Sequence, residues 1–191
     1  MNLAIYKPNG KNAGFAFNFQ IGEDGKSKEP VLFVSSIAQH SWDSKKRIGS
    51  FSPNRKNPEK TISIKFNQFE CGEILSCLKN RYAYETFHSF DSNKTVIKFS
   101  PWDKEVKSTR LENNQPKESS HIVPAFGLVI TRNGNQVFRL PLTPGECECL
   151  ISLLNLLMRK IFLARERKVE MSKSQNRDEL SSGTSSNAPP F

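Results

Sequence analysis

Thr61-Ile62-Ser63-Ile64-Lys65-Phe66-Asn67-Gln68-Phe69-Glu70-Cys71 is the stretch whose reading decides the fold. Ile62, Ile64 and Phe66 alternate with Ser63 and Lys65, the period of a strand with one buried face. Asn67 followed by Glu70 has the spacing of a capping box, and Cys71, Ile74, Leu75 and Leu78 then recur at helical intervals. The same junction returns at a shift of 76 residues, which lays Ile62, Ile64 and Phe66 on Phe138, Leu140 and Leu142, Asn67 on Thr143, Glu70 on Glu146, Cys71 on Cys147, Ser76 on Ser152 and Leu78 on Leu154. Any strand followed by a capped amphipathic helix would reproduce the apolar matches. An internal duplication also accounts for the coincident Glu, Cys and Ser.

Outward from these junctions the chain reads as hairpins. Leu3 to Tyr6, then Phe15, Phe17 and Phe19 alternating with Ala16 and Asn18, flank the turn Pro8 to Asn12, and Pro30 opens a third apolar run, Val31 to Ile37. In the second half, Tyr82 to Phe90 and Thr95 to Trp102 flank Asp91-Ser92-Asn93, and Ala125 to Thr131 and Gln136 to Leu142 flank Arg132-Asn133-Gly134-Asn135. Thr143 caps a second helix, with Pro144 at its first position, running to about Arg165 on a stripe from Cys147 to Phe162. The expectation is an α+β body over residues 1–165. It comprises two ββββα repeats, about 1–80 and 81–165, with antiparallel sheets packed on helices. A flexible, disordered tail over 166–191, ending in Pro-Pro-Phe, would follow.

The chain has 28 Lys plus Arg against 19 Asp plus Glu, a net charge of +9. Residues 166–191 hold four of each sign, so the whole excess belongs to the body. A basic body points to a polyanion. The longest apolar stretch, Cys149 to Met158, is interrupted by Ser152 and Asn155 and is too short to span a bilayer. Met1-Asn2 leads straight into a strand without the pattern of a secretory signal, so a cytoplasmic location is expected. Cys71, Cys77, Cys147 and Cys149 lack metal-site spacing and read as reduced structural thiols.

A single nucleic-acid strand is held by cations along its phosphates and by aromatic faces under its bases. From Asp43 to Lys60 the chain concentrates Lys45, Lys46, Arg47, Arg55, Lys56 and Lys60, with Trp42 at the entrance and Phe51 inside; this is the first candidate for a clamp. Strand alternation adds Lys65, Lys98 and Arg139 on faces opposite the core. Trp42 and Trp102 stand where strands run into charged loops, and each reads either as a buried ring or as a stacking platform. Asp103 to His121 balances its charges and is expected to be a neutral, mobile connection.

No P-loop, dinucleotide glycine fingerprint, metal-binding carboxylate cluster or catalytic constellation emerges, and the expectation is a non-enzyme with no cofactor, no metal and no catalytic residue.

Four strands and a helix, doubled over about Leu3 to Arg165, resemble the Whirly architecture of single-stranded-DNA-binding proteins. The arrangement is also similar to the kinetoplastid mitochondrial guide-RNA-binding proteins and to the half-size positive-cofactor-type transcriptional coactivators. Asn9-Gly10-Lys11-Asn12-Ala13-Gly14 is a loose echo of the Lys-Gly-Lys-Ala-Ala-Leu stretch of the plant family. The resemblance implies single strands lying along sheet faces and edges, homo-oligomers, and tetramers in particular. The end of the chain, Asp178 and Glu179 followed by a polar stretch to Pro189-Pro190-Phe191, resembles the tails of bacterial and phage single-stranded-DNA-binding proteins, which implies recruitment of replication or repair proteins through Asp178, Glu179 and Phe191 in a bacterial or phage-infected host cytoplasm. The expected function is therefore largely sequence-independent coating of single-stranded DNA in replication, recombination or repair. The alternatives are an RNA-binding or transcription cofactor and a viral structural or interaction protein without nucleic acid.

Overall fold

The computed structural model describes residues 1–112 and 115–182. Strands β1 (Asn2–Lys7), β2 (Phe15–Glu23) and β3 (Pro30–Ala38) form an antiparallel meander. A small hairpin, β4 (Ser41–Asp43) and β5 (Ile48–Ser50), and a 3-10 turn (Ser52–Lys56) precede β6 (Thr61–Phe66), which returns to pair with β3. Helix α1 (Gln68–Asn80) follows. Strands β7 (Tyr84–Phe90), β8 (Asn93–Glu112), β9 (Gln115–Arg132) and β10 (Gln136–Leu142) make a second antiparallel sheet in that order, and helix α2 (Pro144–Ser182) closes the described chain.

The local chemistry of both junctions follows the expectation. Asn67 accepts from the Phe69 and Glu70 amides while Glu70 Oε2 accepts from the Asn67 amide at 2.9 Å, a complete capping box. At α2 the Thr143 amide donates to Glu146 Oε2 at 2.8 Å. Each capping carboxylate also reaches the first strand of the opposite sheet. Glu70 Oε1 lies 2.6 Å from His88 Nε2 and accepts from Thr86, both on β7, while Glu146 accepts from Lys7 Nζ on β1 at 2.6 Å. One core runs through the molecule, from Phe17, Phe19, Phe66 and Ile74 to Phe99, Leu128, Leu140 and Leu150, and the sheets touch where the Phe15 and Phe138 rings come within 5.8 Å.

Four expectations change. The stretch from Asp43 to Lys60 is not simply a loop. Asp43 Oδ1 takes the Lys45 and Lys46 amides at 3.0 Å, Pro53 stands second in the 3-10 turn that Ser52 opens, and Asn54 Nδ2 pins that turn to the Ala38 carbonyl. The connection from Asp103 to His121 is not a mobile loop either, because β8 and β9 keep pairing from Asp103↔Pro124 out to Leu111↔Pro116 and form a two-stranded ribbon beyond the sheet. Finally, α2 does not give way to a tail after Arg165. Its backbone stays helical to Ser182, with no Gly or Pro to stop it before Gly183, and Arg165 and Lys168 tie it to Glu29 and the Ser27 carbonyl of the β2–β3 loop. Tyr82 likewise falls outside β7, because Arg81, in the left-handed region at φ 57°, ends α1.

Among the described residues no helix is long and apolar enough to cross a membrane.

Candidate nucleic-acid interface

Alternation gives each sheet an outer face away from the helices. On the first sheet the register aligns Tyr6, Ala16, Ile37 and Thr61 in one row, and Asn18, Ser35 and Ser63 in the next. Small side chains therefore floor a trough of about 450 Å³. Its walls are aromatic and cationic. Phe51, carried in just ahead of the 3-10 turn, meets the exposed Tyr6 ring edge-on at 6.1 Å, and Arg55 lines the same trough. Arg132 enters from the end of β9, its Nη1 within 3.5 Å of the Pro58 and Thr61 carbonyls.

The second sheet repeats this chemistry with other residues. Phe87, Val96, Thr131 and Val137 share a row, and Glu85, Lys98, Val129 and Arg139 share the next. Gly127, between Ser100 and Pro141, leaves a dent in that face beside Trp102, a residue that is 41% exposed. Trp102 and Arg139 line one side of a cleft of about 650 Å³, and Lys7, Pro8, Ala13 and Phe15 of the first sheet line the other. A neighbouring hollow brings Lys60 to the same Arg139.

The residues singled out in the sequence are thus divided among several places. Lys45, Lys46 and Arg47 stand in solvent at the tip of the β4–β5 hairpin, with Arg47 at φ 54°. Arg55 joins the trough, Lys56 ends the 3-10 turn, and Lys60 faces the inter-sheet hollow. Trp42 is half-buried over the β1–β2 turn, where a side chain at Gly10 would start 3.6 Å from its indole nitrogen. Lys65 pairs with Asp24 at 2.8 Å, and this contact, followed by the Ser27 amide, holds the Asp24 carboxyl well below its ordinary range. Lys98 lies 3.8 Å from Glu85, both well exposed. Asp178 and Glu179 lie on the helical backbone of α2, their side chains outside the described part, and Phe191 lies outside the described residues.

Tyr6 and Arg132 were not among the sequence candidates. Tyr6 had a usable signal, since it follows core-facing Ile5 and so must point outward. Arg132 had none, because only the approach of the sheets brings a turn residue of the second to the trough of the first. Among the described residues no three His, Cys, Asp or Glu side chains converge as a metal site would require.

Neither a family model nor a curated protein matches the chain. Among solved structures it is similar to WHY1 from Arabidopsis thaliana, with a TM-score of 0.54 and 17% identity over 90% of this chain and 92% of that one. WHY3 from the same plant gives 0.51 and 15% over 91% and 96%. The plant transcriptional regulator PBF-2 gives 0.50 and 17% over 90% and 86%. At this level of identity the likeness shows the fold, and the chain has the Whirly fold.

Proposed function

We propose that this protein is a non-catalytic single-stranded nucleic-acid-binding protein that prefers DNA and serves replication, recombination or repair. One observation carries the reading: each sheet turns outward a face on which accessible aromatic rings sit among cations, the exposed Tyr6 and the half-buried Phe51 with Arg55 and Arg132, and the exposed Phe87 and Trp102 with Lys98 and Arg139. Rings stack on any base and cations neutralise any phosphate, so binding is largely independent of sequence and weakened by salt. A trough of small side chains between aromatic walls admits separated bases and not a duplex, whose bases are turned inward. The exposed Phe162, Leu163, Val169 and Met171 along α2 support self-association. Recruitment of partners through the chain end, by Asp178, Glu179 and Phe191, belongs to the same proposal, as does the origin of the body in an internal duplication.

A second reading, a transcription cofactor on the same scaffold, is favoured by the likeness to the plant transcriptional regulator PBF-2. Fluorescence anisotropy with matched single- and double-stranded DNA and single-stranded RNA, at two salt concentrations, tests both. Tight, salt-sensitive binding to single strands, with DNA ahead of RNA, is expected. Equal binding to single strand and duplex, or none to either, sinks the first reading.

A further inference from the structure

The core does not reach the end of the second sheet. Its last row there is Thr86, Ile97, Ile130 and Phe138, and the next row of the same face is His88, Thr95, Arg132 and Gln136. Phe90 follows His88 on that side of β7 and is 77% exposed. At this end the sheet meets β6, an edge strand of the first sheet, across a hollow of about 500 Å³. Ser63 and Lys65 line one side of the hollow, His88 and Phe90 the other, and Arg132 lies between. The hollow has a counterpart. The shift of 76 residues that aligns the two strand-to-helix junctions lays Ser63, Ile64 and Lys65 on Arg139, Leu140 and Pro141, which line the cleft beside Trp102. Each also takes in the partner of a capping glutamate, Lys7 of Glu146 in the cleft and His88 of Glu70 in the hollow.

Arg132 lines both this hollow and the trough on the first sheet, so the two are continuous. Its backbone is held in place by its neighbour. The Asn133 amide donates to the Lys94 carbonyl at 2.7 Å, Asn133 Oδ1 accepts from the Lys94 amide at 2.8 Å, and Asn133 Nδ2 donates to Asn93 Oδ1 at 3.0 Å. Of the Arg132 guanidinium only Nη1 is spent, on the Pro58 and Thr61 carbonyls, and no carboxylate of the described residues pairs with it. Lys65 shares its charge with Asp24 at 2.8 Å, but about half of its side chain is exposed, and an exposed pair is weak enough for a phosphate to compete. We propose that the hollow between β6 and the β7–β8 hairpin is a further nucleotide subsite, which takes a base on Phe90 and a phosphate between Lys65 and Arg132 from a strand that arrives along the trough; this rests on the function proposed above.

The test uses the full chain and fluorescent oligo-dT over a salt series. Phe90→Ala should weaken binding about 5- to 150-fold at an unchanged salt slope, the loss of one stacked base. Lys65→Gln should lower the slope of log affinity against log salt by about 0.7. Phe69→Ala removes a ring on α1 that is 76% exposed and borders no part of the hollow, and this variant should bind as the wild type does. On the unmutated protein, irradiation of bound oligo-dT carrying 5-iodouracil should cross-link Phe90 and not Phe69, read by mass spectrometry of the peptides. A Phe90→Ala variant that binds as tightly as Phe69→Ala overturns the subsite and leaves the trough standing. Should circular dichroism show Phe90→Ala to be misfolded, the cross-link decides, and its absence at Phe90 has the same consequence. If the wild type binds no single strand, the function proposed above falls and this subsite with it.

Discussion

Lys7 on β1 and Glu146 in the first turn of α2 meet at 2.6 Å, joining the first strand of one sheet to the helix that follows the other. His88 and Glu70 make the reciprocal connection at 2.6 Å. Each glutamate thus serves its own helix terminus and the opposite sheet, and the two halves are cross-tied. Burial works against the charge on Glu146, but the hydrogen bonds from Lys7 and from the Thr143 amide and hydroxyl outweigh it and hold the carboxyl below its ordinary value of 4.5. A carboxylate depressed in the folded state contributes stability that is full above 4.5 and is lost as pH falls through the folded value. Lys7→Met removes the pair and leaves the cap, at a cost of about 1 kcal/mol at neutral pH. In urea melts at a series of pH values, the gap between wild type and variant should close below 4.5. A gap that stays constant into acid would refute the assignment.

Gln39 holds the β1–β2 turn with all of its amide. Its Oε1 accepts from the Asn9 and Gly14 amides at 2.9 and 3.2 Å, and its Nε2 donates to the Asn9 and Ser41 carbonyls at 3.0 Å. Gly14 is needed there because a Cβ would run into the Lys7 carbonyl and Gln39 Oε1. Gln39→Ala strands buried amides and should cost about 2 to 3 kcal/mol. Gly14→Ala forces apart backbone that cannot yield and should cost at least ~3 kcal/mol. Denaturant midpoints measure both, and a near-neutral Gly14→Ala would show the turn to be pliant.

The fold was legible where its signals are local. Ile62, Ile64 and Phe66 show their face by alternation, and Asn67 and Glu70 lie close enough in sequence for a capping box to be read directly. The ribbon was missed because a strand pair with no core beneath it has no apolar side, so the usual alternation of hydrophobicity is absent; the alternation of charge sign from Asp103 to Glu105 was the signal available. The length of α2 was missed because the reading stopped at the last apolar residue of the stripe, whereas Ala164 to Lys173 keeps good helix formers beyond it. At the interface, Lys45 to Lys60 form one cluster in sequence and several in space, since a hairpin and a 3-10 turn carry them to different edges. Contacts such as Arg132 at the Thr61 carbonyl depend on how two sheets approach, which no local pattern encodes.

The cysteines give a test of the core. Burial pushes the Cys71 thiol up to about 12, and burial likewise carries Cys77 and Cys147 to about 11, whereas Cys149 is exposed on α2. Titration with a thiol reagent at pH 8 should therefore modify one of the four cysteines in the native protein and all four after unfolding. Cys149→Ser should abolish the fast phase. Rapid reaction of a second thiol would contradict the packing of the helices.

The trough on the first sheet separates its two ingredients cleanly. Tyr6 and Phe51 carry no charge and contact each other edge-on, so neither holds a phosphate; Arg55 lines the same trough and has no ring to stack. Phe51→Ala should weaken single-strand binding by about 1 to 3 kcal/mol with an unchanged salt slope, because the lost energy is stacking. Arg55→Gln should lower the slope by about 0.7 and lose its effect at high salt. Because Tyr6 and Phe51 touch, the double alanine variant should cost less than the two single losses added together, as one wall of one site would. Anisotropy titrations of these variants at several salt concentrations decide the matter. If Phe51→Ala changed the slope as much as Arg55→Gln does, or if both left affinity untouched, the trough would not be where bases lie.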